Sequence, residues 1–297
     1  MLSILIPTFN YNITLLVETV HVQTKTLNVP FEILCYDDGS TNNEIITENK
    51  KIENLENTTF KILEKNIGRS AIRNLLAKEA NFEWVLFLDA DVLPKNDDFI
   101  ASYLKHITKT SQVINGGILY TEKRPMDSEL LRWFYGKKRE ALSTDKRNKK
   151  PYLSLLTLNF LIKKNVFKTV SFDEDIPNLR HEDTLFSFHL KTNNINVKHI
   201  ENPTYHLGLE ESRVFLKKSL ESVDAIYLFL NQGLIPNNYT LITKVFFQLK
   251  KAKLHYALAS TFTTFRSSFE RHLLSKKPSL YLFDIYRLSY LCYLDTN

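Results

Sequence analysis

The sequence has little cysteine and no long apolar run. Its 297 residues include two cysteines, Cys35 and Cys292, too few and too far apart for a disulfide framework or a thiolate metal site. This favours a reducing compartment. The sequence contains no run of about 18 uninterrupted apolar residues, so it predicts no membrane-spanning helix. Residues 1–9 lack the basic start of a signal peptide. We therefore expect a cytoplasmic protein, able to meet the inner face of the membrane.

The turn after the first apolar run lacks the phosphate-binding loops of several nucleotide enzymes. Pro7-Thr8-Phe9-Asn10 stands where a dinucleotide-binding enzyme carries Gly-x-Gly-x-x-Gly, which excludes a Rossmann dehydrogenase. A sugar nucleotidyltransferase usually carries a Gly-rich loop with a lysine at this place, and a phosphatase with an aspartate nucleophile carries Asp-x-Asp. These phosphate-transfer enzymes are alternatives that the turn counts against.

The composition is that of a folded protein with unevenly placed positive charge. Hydrophobic residues make up 43% of the chain, and the net charge is +6. From residue 244 to the end there are nine Lys or Arg residues against three Asp or Glu residues, and residues 123–150 contain ten against four. Basic surfaces attract anions, although a solvated charged face explains such segments as well. We expect no nucleic-acid partner.

The first ninety residues alternate apolar strand-like runs with helical segments. The strand-like runs are residues 2–6, 31–36, 60–63 and 84–88, and the helical segments are residues 13–23, 43–55 and 70–80. This alternation predicts an α/β fold with a mostly parallel sheet covered on both faces. Further strands are expected at 113–120 and 197–205, with a helix at 184–191 and a helical region from residue 211. Ligands of such sheets bind beyond the carboxyl ends of the strands.

Two carboxylates follow the fourth apolar run. Asp89 and Asp91 are separated by Ala90, and alternation along a strand places residues i and i+2 on the same side of the chain. Carboxylates this close repel each other unless a cation or donors lie between them. Mg²⁺ or Mn²⁺ suits the position because such ions also bind substrate phosphate oxygens. One such triplet is weak evidence by itself, because a second, Asp173-Glu174-Asp175, also occurs. The alternative is that Asp89 and Asp91 form an acidic turn that caps the next helix.

The other strand ends carry polar motifs in a fixed order. The second run ends in Asp37-Asp38-Gly39-Ser40, and the third leads to Asn-Ile-Gly-Arg-Ser-Ala-Ile-Arg-Asn at residues 66–74. With the Pro-Thr-Phe-Asn turn and the Asp-x-Asp, this order and spacing resemble family 2 glycosyltransferases. The likeness continues less tightly to about Ser212. It implies the GT-A fold, a Rossmann-like, mostly parallel sheet flanked by helices, here with a helical C-terminal extension.

The resemblance implies a nucleotide-sugar donor, a UDP-sugar first of all, and assigns its site to the matching residues. Pro7 and Phe9 belong to the nucleotide site, with the Phe9 ring stacking on the base. Asp38 would accept a hydrogen bond from the base edge, and Arg73 would approach the base or the diphosphate. Asp89 would hold the ribose. A turn-stabilising role for Asp38 and a surface charge for Arg73 are the alternatives.

The resemblance also implies a divalent metal. Asp91 would bind the ion that bridges the diphosphate, and His206, in Tyr205-His206-Leu207-Gly208, would complete the site. An imidazole ligand favours Mn²⁺ over Mg²⁺. His181 and His199 compete with His206 for this role, and each of these histidines could instead be structural.

A catalytic base is implied at the Glu182-Asp183 pair. In inverting members of the family the aspartate of such a pair takes the proton of the acceptor hydroxyl, which gives this role to Asp183, with Glu182 as the less favoured candidate. The alternative is an acidic helix start stabilised by the helix dipole. The predicted activity is an inverting, metal-dependent hexosyl transfer to a glycan or lipid-linked glycan. A non-catalytic glycan-binding protein would have no need of both Asp91 and Asp183.

The acceptor side and the tail are less defined by the sequence. We expect residues 1–115 to form the nucleotide-sugar half, residues 116–210 the acceptor half and residues 211–297 the helical extension. Residues 133–135 and 152–160 are rich in aromatic side chains that suit either sugar stacking or the core. The aromatic and basic residues of 245–271 recur near helical spacing, as in a membrane-surface helix. A helical cap on the catalytic domain, or a dimer contact, explains the same pattern.

Overall fold

The computed structural model describes residues 1–176 and 180–297. The chain divides into two compact units. Residues 1–120, 140–178 and 182–208 form the first, which we call the sheet unit. Residues 121–139, 179–181 and 209–297 form the second, the helical unit, so a segment from the middle of the chain belongs with the C-terminal helices.

Strands and helices alternate through the first part of the chain, and helices alone follow residue 211. The strands are β1 Leu2–Thr8, β2 Phe31–Asp37, β3 Thr58–Ile62, β4 Trp84–Leu88, β5 Val92–Pro94, β6 Val113–Asn115, β7 Ile118–Leu119, β8 Asn159–Lys163, β9 Val197–His199 and β10 Thr204–His206. The α-helices are α1 Thr14–Lys25, α2 Asn43–Lys50, α3 Arg69–Glu79, α4 Phe99–Lys105, α5 Leu130–Tyr135, α6 Thr144–Lys149, α7 Lys164–Thr169, α8 Glu182–Thr192, α9 Ser212–Asn231, α10 Leu241–Lys251, α11 His255–Leu273 and α12 Leu280–Thr296.

The main sheet confirms the predicted α/β architecture. Its strand order is β3-β2-β1-β4-β8-β6-β9. The first four of these strands are mutually parallel, β8 runs antiparallel to both β4 and β6, and β9 is parallel to β6. A second sheet has the order β5-β10-β7. The carboxyl ends of β1, β2 and β4 therefore meet at one edge, where the sequence places its polar motifs.

Apolar side chains on both faces explain why β1 and β4 lie at the centre of the sheet. Ile4 and Leu86 point to the face where Phe99 of α4 packs, and all three are fully buried. The neighbouring residues along each strand, Leu5 and Val85, point to the other face. Strands buried on both faces must be apolar throughout, and this fixes their position in the sheet.

Two predicted strands are each split in the structure. Residues 113–120 form β6 in the main sheet and β7 in the small sheet. The break falls at Gly117, whose φ of +91° is open to glycine but strained for other residues. Residues 197–205 divide in the same way between β9 and β10. The prediction of one continuous strand was wrong in both places, because an apolar run does not show where the chain changes sheet.

The helical unit has its own core. Phe283, Tyr286 and Leu291 of α12 are buried against residues of α9, α10 and α11. The apolar stripe of residues 245–269 divides, because Phe246 and Phe262 lie in this core whereas other members, Leu254, Tyr256 and Phe265, are exposed. Among residues 1–176 and 180–297, no helix is long and apolar enough to cross a membrane.

Candidate active site

The loop after β1 holds an exposed aromatic ring in a fixed position. The Asn10 side-chain oxygen accepts hydrogen bonds from the Thr41 and Asn42 backbone N–H groups at 2.9 and 3.1 Å. The Asn10 N–H donates to Ser40 Oγ at 2.6 Å. These bonds tie the ends of β1 and β2 together, while the Phe9 ring beside them stays 48% exposed. An exposed ring on a rigid loop is suited to stacking on a flat ligand.

Asp38, at the end of β2, is buried and fixed by the start of α3. Its carboxylate accepts the Ile67 N–H at 2.7 Å and the Gly68 N–H at 3.1 Å. Burial raises the pKa of Asp38, and the two backbone hydrogen bonds oppose that rise. Each carboxylate oxygen keeps a second lone pair, so Asp38 can still accept a ligand donor. The turn-stabilising role and the ligand-binding role are compatible here.

Arg73 of α3 links the end of β4 to the start of α8. Its Nη2 donates to Asp89 Oδ1 at 2.6 Å, and its Nη1 lies 3.5 Å from Glu182 Oε1. The Arg73 side chain is 7% exposed, so the surface-charge alternative is wrong. Burial lowers the pKa of Arg73, but the carboxylates of Asp89 and Glu182 outweigh it and raise the pKa overall. The guanidinium is therefore a permanent counter-charge for both carboxylates.

Asp183 lies in the first turn of α8 with an unusual protonation equilibrium. Burial, and next the neighbouring Glu182 charge, raise its pKa to about 7. Its Oδ1 accepts the Thr184 N–H at 2.7 Å, which opposes the rise. Asp183 is half-buried as a whole residue. A carboxylate with a pKa near the working pH and access to solvent has the properties of a general base.

The small sheet places His206 beside Asp91. His206 pairs with Val92 in the antiparallel ladder of β10 and β5, and the Leu207 N–H donates to the Asp91 carbonyl at 2.8 Å. His206 Nε2 consequently lies 3.3 Å from Asp91 Oδ2. Gly208 comes so close that a Cβ there would lie 2.4 Å from the same carboxylate oxygen. A side chain at residue 208 would force the Asp91 carboxylate to move, and glycine avoids this.

Two tyrosines that sequence reasoning missed surround this pair. The Tyr120 ring packs on the His206 ring with centroids 5.4 Å apart, and its hydroxyl donates to Glu140. Burial raises the pKa of Tyr11, and the charge of Asp91 raises it further. Tyr11 stands two residues after Phe9 in the loop that follows β1, and this closeness in sequence was the available signal. Tyr120 gave no signal, because it is distant from His206 in sequence.

The Asp91–His206 pair fits a divalent metal with few protein ligands. One ion about 2.0 to 2.2 Å from each ligand atom can touch both atoms when they lie 3.3 Å apart. In the described ranges 1–176 and 180–297, no group of three or more His, Cys, Asp or Glu residues has metal-binding geometry. Mg²⁺ and Mn²⁺ at nucleotide sites commonly take one or two protein ligands and complete their shells with phosphate oxygens and water.

The competing histidines are engaged elsewhere. His199 is buried, with its Nε2 2.8 Å from the Pro151 carbonyl and its Nδ1 3.1 Å from Arg147, and burial lowers its pKa to about 4. His181 belongs to the helical unit, where its Nε2 lies 2.7 Å from Ser222 Oγ. Burial, followed by the charges of nearby arginines, lowers its pKa to about 3. His206 is the one of the three that lies beside Asp91.

The remaining candidates separate into core and surface. Phe160 is buried and stacks on Phe87 with centroids 4.9 Å apart, which makes it a core residue of the sheet unit. Tyr135 of the helical unit packs on Phe215 at 5.3 Å. Trp133 is partly exposed, and its Nε1 donates to the Thr121 carbonyl at 2.9 Å. Pro7 lies within β1 and is partly exposed.

Comparison with known proteins identifies the family. A family model described as "Glycosyl transferase family 2" matches residues 3–170, more than half of the chain. The chain belongs to glycosyl transferase family 2. Chondroitin synthase from Pasteurella multocida (strain Pm70) is 29% identical over 113 residues, which are 38% of this chain and 12% of that enzyme. The chain thus spans a small part of that family 2 relative.

Solved structures share the fold of this family 2 chain. Residues 1–349 of S. aureus TarS match all of the chain and 92% of that structure, with a TM-score of 0.53 and 21% identity. The mannosyltransferase PcManGT from Pyrobaculum calidifontis, solved with GDP-Man and Mn²⁺, matches 99% of the chain and 86% of that structure, with a TM-score of 0.59 and 14% identity. The predicted GT-A fold with a helical C-terminal region is confirmed.

Proposed function

We propose that this family 2 glycosyltransferase transfers a sugar from a nucleotide-sugar donor, most readily a UDP-sugar, to a glycan or lipid-linked glycan, with a divalent metal and inversion at the anomeric carbon. The observation that carries the proposal is the pairing of Asp91 with His206, 3.3 Å apart, at the edge where β1, β2 and β4 end. The donors bound in similar structures support it, since TarS was solved with UDP-GlcNAc and PcManGT with GDP-Man.

The donor nucleotide would bind along the strand ends. Phe9 is the exposed ring on which the base stacks, and Asp38 is the fixed acceptor for a base N–H. Pro7 limits the freedom of the chain that carries Phe9, because its ring fixes φ. Asp89 is held by Arg73 at 2.6 Å, and its second oxygen would accept a ribose hydroxyl. Arg73 acts on the nucleotide through Asp89.

Asp91 and His206 would hold the metal, with Mn²⁺ preferred over Mg²⁺ because imidazole is a softer ligand than carboxylate or water. Mn²⁺ in the structure of PcManGT agrees with this choice. When bound, the ion neutralises the charge that develops on the departing diphosphate. The protein supplies two ligands, so substrate oxygens and water would fill the rest of the shell.

Asp183 would act as the base. Its carboxylate takes the proton of the acceptor hydroxyl while that oxygen bonds to the anomeric carbon. The bond from this carbon to the diphosphate breaks, and its electron pair leaves with the nucleoside diphosphate. Attack from the face opposite the leaving group inverts the configuration. A raised pKa, caused first by burial and then by Glu182, makes Asp183 a stronger base than an ordinary carboxylate.

The α10–α11 connection is the part of the helical unit that we propose as a membrane contact for lipid-linked acceptors. Leu254 and Tyr256 are 56% and 60% exposed, and Lys251 and Lys253 beside them are also exposed. Anionic lipid adds about 1 kcal/mol per basic residue near the surface. Replacing Leu254 and Tyr256 by serine should abolish sedimentation with vesicles that contain anionic lipid, and retention of binding would contradict the contact.

A thermal-shift screen tests the donor and metal assignments together. UDP, GDP and their sugars are added with and without Mn²⁺, and we expect a nucleotide to raise Tm more when Mn²⁺ is present. In Asp91→Ala, the additional rise in Tm that depends on Mn²⁺ should be lost. The Mn²⁺-dependent release of UDP from a UDP-sugar should be lost as well. Asp173→Ala is the matched control, because Asp173 belongs to the second Asp-x-Asp, and its carboxylate accepts the Asp175 N–H. If no nucleotide stabilises the protein, the proposed function is wrong.

A further inference from the structure

The positive charge of the protein is concentrated in the helical unit. Residues 121–139 and 209–297 contain eighteen Lys or Arg residues against ten Asp or Glu residues. Residues 1–120, 140–178 and 182–208 contain twenty against twenty-three. The sheet unit, which bears the candidate active site, is therefore slightly acidic, and the helical unit is basic. A surplus of this kind attracts anionic partners.

A groove of about 560 Å³ lies within the helical unit. Its walls come from α9 and α11, and Tyr286 of α12 contributes to its floor. The apolar part of its lining consists of Leu216, Leu220 and Leu274. Its volume is in the range of ligand sites, which run from about 300 to 1,000 Å³. Apolar walls of this kind can pack against the C–H face of a sugar ring.

Each acidic residue that lines the groove has a partner within the helical unit. Glu270 accepts Arg266 Nε at 2.9 Å and the Tyr286 hydroxyl at 2.8 Å. Asp224 accepts the Tyr290 hydroxyl at 2.8 Å, and Glu221 lies 4.0 Å from Lys217 Nζ.

The basic residues keep a surplus over these acids. Arg213 and Arg271 line the groove and are exposed, and neither forms an ion pair with a residue of the described ranges. Arg213 also lies close enough to Glu270 to lower the pKa of that carboxyl, although burial opposes the shift and the hydrogen bonds from Arg266 and Tyr286 contribute more. The groove thus combines engaged carboxylates with two guanidinium groups that can bind a ligand.

We propose that this groove binds an anionic polysaccharide, with Arg213 and Arg271 contacting its acidic groups and the leucines contacting its sugar rings. Guanidinium groups suit this role because they bind carboxylate, sulfate and phosphate oxygens in a fork. The inference rests on the proposed glycosyl transfer, for which the polysaccharide would be the acceptor or the product. The helical unit would hold the polymer by residues other than those that act on the donor.

The test is binding of defined polymers to the full chain. Fluorescent hyaluronan, dextran sulfate and neutral dextran of matched length are titrated in fluorescence anisotropy, with polyphosphate as a polyanion without sugar. We expect one or both anionic glycans to bind, and neutral dextran and polyphosphate to bind more weakly. Comparing the affinity for hyaluronan with that for dextran sulfate distinguishes recognition of carboxylate groups from recognition of sulfate groups. Binding to no anionic glycan, or equal binding to polyphosphate, would overturn the proposal.

Two double variants locate the binding. Arg213→Ala with Arg271→Ala should raise Kd about tenfold, since two partly exposed charge contacts are lost. Lys123→Ala with Lys138→Ala removes the same charge from exposed positions of the helical unit that do not line the groove, and should leave Kd unchanged. Equal losses in both variants would show nonspecific charge attraction and refute the site.

Circular dichroism and UDP thermal shifts on the same samples separate the two proposals. A variant that keeps its fold and its nucleotide shift but loses the glycan supports the groove. Wild-type protein that shifts with UDP but binds no glycan refutes the groove alone. Wild-type protein that fails to shift with any nucleotide refutes the proposed function whatever the groove binds.

Discussion

The substitution Gly208→Ala tests whether Asp91 and His206 form one metal site. A Cβ atom at residue 208 would lie 2.4 Å from Asp91 Oδ2 and 3.0 Å from Asp91 Cβ. In real proteins a Cβ atom essentially never lies within 3.0 Å of a heavy atom outside its own residue and that residue's two chain neighbours. The oxygen that must move is also the one that lies 3.3 Å from His206 Nε2. The substitution therefore acts on the predicted metal ligand itself.

The surrounding backbone decides which group moves. The Leu207 N–H is hydrogen-bonded to the Asp91 carbonyl at 2.8 Å, and His206 is paired with Val92. Because these contacts hold the backbone of both Asp91 and residue 208 in place, the Asp91 carboxylate is expected to rotate away from His206. Overpacking of this kind costs about 1 to 3 kcal/mol, and 1.4 kcal/mol is a tenfold change in an equilibrium constant. We expect Mn²⁺ affinity to fall by about tenfold or more.

Isothermal titration of Mn²⁺ in the presence of UDP measures this loss without a turnover assay, and the electron paramagnetic resonance signal of free Mn²⁺ gives an independent value. Gly233→Ala is the matched control. A Cβ at Gly233 would meet nothing within 4 Å, but its φ is +67°, so alanine there should cost about 1 to 2 kcal/mol of stability without changing Mn²⁺ affinity. A folded Gly208→Ala protein with wild-type Mn²⁺ affinity would refute the site.

Three further predictions concern the rest of the site. Because the pKa of Asp183 is raised, kcat/KM should increase as pH rises through about 7. Glu182→Gln should move that inflection to lower pH by removing the neighbouring charge, and a flat profile from pH 5 to 9 would contradict the base. Arg73→Ala leaves Asp89 without its counter-charge and leaves Glu182 with Arg69 Nη1 alone, 3.6 Å away, and should lower the free energy of unfolding by about 3 kcal/mol, measured by urea denaturation. Phe9→Ala should weaken UDP binding by about tenfold through lost stacking, whereas Phe9→Tyr should retain it, and equal affinities in calorimetry would contradict the stacking.

The raised pKa of Asp183 also predicts a pH dependence of stability. The folded state favours its neutral form relative to the unfolded state, because burial and Glu182 disfavour the charge. Its contribution to stability is therefore complete at low pH, below the unfolded pKa, and is lost as pH rises through the folded pKa. Asp183→Asn should remove this dependence, so urea midpoints of variant and wild type should differ more at pH 8 than at pH 5.

Local patterns were enough to predict the central sheet. The apolar residues of β1 and β4 are buried on both faces, and that burial leaves a continuous run in the sequence. The splitting of residues 113–120 was not predictable in this way. Gly116 and Gly117 mark the position, but the reason for the break is the pairing of β7 with β10, a contact between distant parts of the chain.

The grouping of the candidate residues was predictable where motifs follow strands and not where distant side chains meet. Asp91 could be selected as a candidate from its position after β4. His206 could not be selected in this way, because it was one of several candidate histidines. The pairing of β10 with β5 is what separates His206 from His199. Tyr120 and Gly208 have roles only in relation to that pairing. Likewise, the joining of residues 121–139 to the C-terminal helices depends on packing such as Tyr135 against Phe283.

Arg73 connects the proposed donor side of the candidate site to the proposed base. One buried guanidinium contacts Asp89, which would hold the ribose, and Glu182, whose charge raises the pKa of Asp183. If Arg73 paired with Asp89 alone, Glu182 would keep only Arg69 Nη1, 3.6 Å away, as a counter-charge, and burial of a poorly compensated charge is costly. Glu182 in turn contributes, after burial, to the raised pKa of Asp183. The contacts that would position the donor are thus joined, through Arg73 and Glu182, to the residue proposed as the base.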